Sequence, residues 1–223
     1  MMRRAAPNAQ QGFSIVSLMV AAALAMMITI AMLSLYVSTT KITKVSKAGA
    51  TQDGQIASGF LVGQLNLQGA GYGLTTAALN TDLVLVQGAT LDSATKKLSG
   101  TAANIITTAV TGNAVIWGSN TSGSYQCAGL FTPSTGGLLL LTPASCTNAS
   151  SAWNTVTWTT TSVIGSVAVT MTATKTAAAG CQPFGIVDPN GVKGGAIVAL
   201  SASNSSASSS TTSSTCLANF AAS

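Results

Sequence analysis

Histidine and glutamate are both missing from this chain, and charge of either sign is scarce. The 223 residues hold four acids, all aspartate, and nine bases, so charged side chains make up 6% of the sequence, about a quarter of the usual share. Without histidine or glutamate the commonest general bases are gone. Asp53, Asp82, Asp92 and Asp188 are widely separated, and none lies in a nucleophile or metal motif. No phosphate-binding loop or dinucleotide fingerprint occurs, and the glycine cluster at 69–73 precedes no convincing helix. Enzyme activity is therefore not expected, and no cofactor is implied. Arginine stops at Arg4 and the later lysines are scattered, which argues against a nucleic-acid partner. The four cysteines, Cys127, Cys146, Cys181 and Cys216, form no CxxC pair and have no histidine to complete a zinc site. Disulfides are the expectation. Sequence order favours Cys127 with Cys146 and Cys181 with Cys216, with the other two pairings left open.

Present instead is an unbroken apolar run. Residues 12–37 read GFSIVSLMVAAALAMMITIAMLSLYV, and the 25 residues of 13–37 carry no charge. As a helix they cover about 37 Å, enough to cross a bilayer core of about 30 Å. A soluble core helix has no reason to be apolar on every face for so long. Ahead of the run is a polar leader, MMRRAAPNAQQG. Arg3 and Arg4 favour a cytoplasmic N-terminus, while Lys41, Lys44 and Lys47 beyond the far end blur the charge bias. A secretory signal peptide is cut after its apolar region. Here the processing-like step, Gly12-Phe13, comes before it. A plain signal-anchor is the simplest alternative.

The order of basic leader, Gly12, Phe13 and unbroken apolar helix resembles the class III signal of type IV prepilins and pseudopilins. That resemblance implies cleavage after Gly12 by a prepilin peptidase and N-methylation of Phe13. It also implies that the apolar segment stays on the mature protein, first as membrane anchor and then as filament core. One position departs from the family. The fifth mature residue is usually glutamate, whose carboxylate offsets the terminal amine of a neighbouring subunit, and here it is Ser17. A buried charge without a partner is expensive. Either Ser17 marks a tip subunit with no neighbour above it, or incorporation is poor or the charge is met elsewhere. Further along, LNLQGAGYGL at 65–74 resembles the "dLrmAGY.G" stretch of PilW-type minor pilins through Leu65, Leu67, Ala70, Gly71, Tyr72 and Gly73. The acid and arginine of that stretch are absent.

Between these landmarks, residues 38–67 read as an amphipathic helix with Ile42, Val45, Ile56, Phe60, Gly63 and Leu67 on one stripe, interrupted by Gln52. Gly49, Gly54, Gly59 and Gly63 each cost about 1 kcal/mol relative to alanine and suggest a pliable helix. No proline interrupts it. From Leu74 onward the pattern shifts to short β-prone runs at 82–87, 104–110, 114–117, 137–141, 154–161, 166–174 and 195–200. Thr111-Gly112-Asn113 reads as a hairpin turn between two of them, and Asp188-Pro189-Asn190-Gly191 as a strong turn. Residues 201–215, SASNSSASSSTTSST, lack the apolar side chains to order themselves and read as an exposed loop tied down by Cys216.

The expected fold class is α+β and pilin-like: a long N-terminal helix on a β-rich head. The divisions are a leader at 1–12, a membrane or filament-core helix at 13–37, an amphipathic half at 38–67, and a head at 68–223 with the loop at 201–215. The resemblance implies a minor pilin that primes type IV pilus assembly and stands at or near the tip. Its partners would be the prepilin peptidase, other minor pilins, the major pilin and the inner membrane. The precursor would sit in the bacterial inner membrane with its head in the periplasm, and the assembled subunit in the extracellular pilus. The alternatives are a pseudopilin of type II secretion and a signal-anchored periplasmic or surface adhesin outside any filament.

Overall fold

The computed structural model describes residues 14–121, 123–177, 179–183, 193–203 and 210–221. The chain divides into two compact units, Met1–Ala48 and Gly49–Ser223. The first unit holds one element, the early part of α1, which spans Ile15–Gln68. No proline or acid interrupts residues 15–48. Each side chain from Ser14 to Thr39 is exposed, and an 18-residue window there has mean hydropathy 2.5 with none of it buried. This helix is long and apolar enough to cross a membrane.

In the second unit, the rest of α1 buries one stripe: Gly49, Ile56, Gly59, Phe60, Gly63 and Leu67. Among the described residues ten strands follow: β1 (Leu83–Leu91), β2 (Leu98–Ala103), β3 (Val110–Gly112), β4 (Ala114–Ser119), β5 (Gln126–Phe131), β6 (Leu138–Ser145), β7 (Thr160–Ile164), β8 (Val169–Lys175), β9 (Gly194–Ser203) and β10 (Ser210–Ala221). A single turn of helix, α2 (Ala149–Ala152), lies between β6 and β7. The strands form two antiparallel sheets, ordered β2-β1-β4-β5-β6-β7 and β10-β9-β8-β3. The fold class is thus α+β, a long apolar helix followed by an antiparallel β domain.

Two apolar clusters explain why β4 and β5 are buried nearly throughout. One face of the larger sheet (Leu83, Leu85, Val115, Trp117, Leu130) shares a core with Ile56, Phe60 and Leu67 of α1. The inward residues of the smaller sheet (Met171, Val198, Leu200, Leu217) join the same core. The opposite face (Val84, Val86, Ile116, Phe131, Leu141) is covered by Ala149, Ala152, Trp153 and Trp158. A sheet buried on both faces reads as continuous apolar runs, while β8 and β9 alternate because only one face is covered.

Several expectations are corrected. The buried stripe of α1 begins at Gly49, and Ile42 and Val45 are exposed at 64% and 60%. The glycines of the stripe are sites of close packing. A Cβ on Gly59 would overlap Ile164 Cγ1, and one on Gly63 would sit 3.0 Å from Leu200 Cδ1. Only Gly54 faces open space among the helix glycines so probed. Thr111-Gly112-Asn113 is no hairpin, because β3 pairs with β8 and β4 pairs with β1 and β5. The chain changes sheets there, and Asn113 holds the crossing point. Its Oδ1 accepts from Ala89 N at 2.6 Å, and its Nδ2 donates to Ala89 O at 2.8 Å and to Thr132 O at 3.3 Å.

The expected strand at 104–110 shrinks to Val110. Asn80 side-chain bonds hold the backbone of Ile105 apart from either sheet. The run at 154–161 becomes strand only from Thr160, since Trp158 turns inward and donates Nε1–H to Trp153 O at 3.0 Å. Residues 201–203 and 210–215, read as part of a loop, belong to β9 and β10. Their hydroxyl-bearing side chains lack apolar drive, but the ladder from Ser210↔Ser203 to Leu217↔Ala196 satisfies their backbone. The expected turn at 188–191 and the centre of the loop lie outside the described residues.

Candidate functional site

One candidate surface is the exposed apolar part of α1 itself. Ile15, Leu18, Met19, Met26, Met27, Ile30, Leu33 and Leu35 are each 65% exposed or more. An exposed apolar surface of this extent marks contact with a membrane or with other protein. Four threonine hydroxyls within and just past the run are already occupied. Thr29 Oγ1 donates to Met26 O at 2.8 Å, Thr39 to Leu35 O at 2.8 Å, Thr40 to Val37 O at 2.9 Å and Thr43 to Thr39 O at 2.8 Å. Such back-bonding lets threonine enter an apolar medium without a wasted donor. Ser17 lies in the first turn of α1, exposed, and no acid stands in that turn. Gly12 and Phe13 lie outside the described residues.

The AGYG segment leaves α1 through two left-handed glycines, Gly71 (φ 75°) and Gly73 (φ 74°). Neither tolerates a side chain: a Cβ on Gly71 would lie 2.9 Å from Ala77 Cβ, and one on Gly73 would overlap the Asn120 carbonyl. Gly71 N–H donates to Gly118 O and Asn120 N–H to Tyr72 O, both at 2.8 Å, which stitches the segment to the end of β4. Asn219 on β10 closes the other side. Its Nδ2 donates to Ala70 O at 2.8 Å and Gln68 O at 3.3 Å, using carbonyls that the end of α1 leaves free. Tyr72 is 59% exposed.

All four cysteines are paired, Cys127–Cys146 and Cys181–Cys216, as sequence order favours. The first ties β5 to the segment after β6. The second ties the segment beside Gly194 to β10. Two disulfides fit an oxidising periplasmic or extracellular compartment for this unit.

Sequence reasoning missed the pair Asp82 and Tyr125. Asp82, buried just ahead of β1, accepts Tyr125 O–H at 2.6 Å on Oδ1 and Ala78 N–H at 2.9 Å on Oδ2. The phenol oxygen also accepts Ala149 N–H at 3.3 Å. Burial, then the bond to Asp82, pushes the phenol far above its ordinary value of 10.0. The only local signal is an acid at the mouth of an apolar strand. Asp92 sits at the other end of β1, about 30 Å away. There its Oδ1 accepts Ala94 N–H, Thr95 N–H and Thr95 O–H, and these bonds hold its carboxyl below the usual value. Asp53 is on α1, and Asp188 lies outside the described residues.

Among the described residues no three His, Cys, Asp or Glu side chains gather as a metal site would require. A cleft of about 650 Å³ lined by Asn80, Asn104, Ile105, Ile106 and Lys175 carries a single amine. A smaller one, about 240 Å³, lies between Gln64, Gln68, Tyr72 and β10. Neither brings an acid and a base together. Asn148, one of three Asn-x-Ser/Thr matches, caps α2 by accepting Ser151 N–H at 2.8 Å. The outward face of β8, β9 and β10 shows Thr170, Thr172, Thr174, Ser201, Thr212 and Ser214. No family model, curated protein or solved structure matches this chain.

Proposed function

We propose that this chain is a PilW-type minor pilin of a bacterial type IV pilus. The observation that carries the proposal is the first part of α1: an exposed, uncharged helix long enough to span a bilayer, preceded by Gly12-Phe13 and a basic leader. The disulfide-tied α+β unit and the left-handed glycines of the AGYG stretch support it. In this reading the chain performs no chemistry. The leader orients the precursor in the inner membrane, and a prepilin peptidase frees the Phe13 amine. The helix then passes laterally from lipid into a bundle of other pilin helices, exchanging one apolar surround for another. Ser17 offers no carboxylate to a terminal amine above it, which suits a tip subunit that primes assembly. The hydroxyl-rich, nearly uncharged head would form the outer surface.

The test is N-terminal peptide mass spectrometry of the protein from its native membrane and from sheared filaments. A chain starting at methylated Phe13, in the filament fraction at low abundance, is the expected result. An uncut chain confined to the membrane would identify a signal-anchored adhesin and overturn the proposal. A processed chain that co-purifies with secretion components instead of filaments would identify a type II pseudopilin.

A further inference from the structure

A groove of about 240 Å³ runs between the end of α1 and β10. Gln64 and Gln68, both half-buried, line one wall. They stand one turn apart, about 6 Å along the helix axis. Thr215 and Asn219 of β10 line the other wall, and the largely exposed Tyr72 stands where the chain leaves the helix. Among the described residues none that lines the groove carries a charge. Thr215 is the buried member of this set. It is 5% exposed, and its hydroxyl is sealed in with no hydrogen-bond partner among the described residues. Ser213 Oγ, two positions along the strand, is in the same state. Native proteins leave few buried polar groups unpaired. Were this position needed only for packing, valine would fill the same space on the strand without a stranded hydroxyl. A turn of χ1 between staggered wells re-aims the threonine hydroxyl, so it can meet a ligand without movement of the backbone.

We infer that this groove binds a neutral carbohydrate, holding one sugar residue of a glycan that continues into solvent. A charged ligand would give up its water there and meet no counter-charge. A sugar hydroxyl is donor and acceptor at once, and so are a threonine hydroxyl and a glutamine amide. Glutamines four residues apart share one face of the helix, so their amides can converge on one ring. Tyr72 adds an apolar plate for the C–H face of the sugar while its own hydroxyl stays in water. Asn219 is already committed as a donor, since its Nδ2 holds Gln68 O and Ala70 O, and it offers the ligand only Oδ1. The volume falls below the roughly 300–1,000 Å³ of a drug-sized pocket, which suits a single sugar unit. The inference rests on the second unit alone and stands whether or not the helix enters a filament.

The experiment presents the full chain, in a zwitterionic detergent without sugar groups, to a printed array of neutral and sialylated oligosaccharides. The tightest-held neutral glycan is then titrated into the wild-type chain and into Thr215→Val, Gln64→Ala and Tyr72→Ala, with a thermal melt of each. The expected result is retention of a subset of neutral glycans in preference to sialylated ones. Each variant should bind about five- to ten-fold more weakly, the worth of one net contact. Thr215→Val should melt no lower than the wild-type chain, because it removes a stranded hydroxyl. Gln64→Ala changes a partly exposed helix position and keeps the test open if another variant fails to fold. Retention of no neutral glycan, or retention governed by sialic acid, overturns the inference. So does an affinity unchanged in both Thr215→Val and Gln64→Ala; with a raised melting point, that result would make the Thr215 hydroxyl a packing flaw only. Capture of uncharged peptides from a displayed library, lost in Thr215→Val and without any glycan retained, would assign the groove to an extended peptide and overturn the sugar site.

Discussion

At the scale of single residues, the Asp82–Tyr125 bond makes the sharpest claim. Removing the hydroxyl in Tyr125→Phe leaves a buried carboxylate oxygen short of a donor, which should cost about 1–3 kcal/mol. The midpoint of a thermal melt of the full chain in detergent checks this. The same phenol sets a pH dependence. Its folded value lies above the unfolded value of 10.0, so its contribution is complete below that pH. It declines as the solution becomes more alkaline, because only the unfolded chain releases the proton. Stability should therefore fall with a steeper slope above pH 10 in the wild-type chain than in Tyr125→Phe. Denaturant midpoints across pH 9–11 would show it, and parallel slopes would refute it. Asp92 acts in the opposite sense. Its lowered value means that the β1–β2 turn keeps its three bonds above pH 3.8 and loses them as the pH drops through the folded value.

At the scale of elements, two glycines of α1 should respond with opposite signs. Gly54→Ala meets open space and should stabilise by about 0.5–1 kcal/mol. Gly59→Ala gains the same helix propensity but drives its methyl into Ile164, and should destabilise by about 1–3 kcal/mol. Parallel melts of the two variants decide it; equal shifts would mean that α1 does not seat on β7 as described. The long helix is legible in the sequence because 25 uncharged residues admit no other regular structure so readily. Strands β1, β6, β8 and β9 are legible because their apolar runs are local. The change of sheets at Asn113 is not, because its specifying bonds go to Ala89 and Thr132, far along the chain. Strands β2 and β10 escape notice for a related reason. Their serines and threonines carry little apolar signal, and they become strands through the ladders offered by β1 and β9. The disulfide pairs follow chain order, but proximity of Cys181 to Cys216 depends on the antiparallel return of β10 along β9.

At the scale of the whole molecule, the chain joins an apolar helix suited to lipid with a unit locked by two disulfides. A charge placed in the span should expose which solvent the helix occupies. Ala25→Arg is expected to cost about 2.5–3.5 kcal/mol of insertion and to move a large share of the protein from the membrane pellet to the alkaline-carbonate supernatant. Release of the wild-type chain itself into the alkaline-carbonate supernatant would mean that the helix is not lipid-embedded. Reduction of the disulfides should lower the melting point of the second unit, each bridge being worth about 2–4 kcal/mol.

The position of β10 bears on how the protein is made. The strand ends at Ala221, yet Phe220 is wholly buried and Asn219 binds the carbonyls where α1 stops. The end of α1 and β10 are therefore mutual partners separated by 149 positions. The core cannot close until Phe220 has been synthesised and delivered to the same compartment as the end of the helix. A nascent chain anchored by α1 must remain open until β10 has crossed, which delays closure of the core and leaves it vulnerable to proteolysis in transit. Loss of residues 219–221 would leave that vulnerable state permanent.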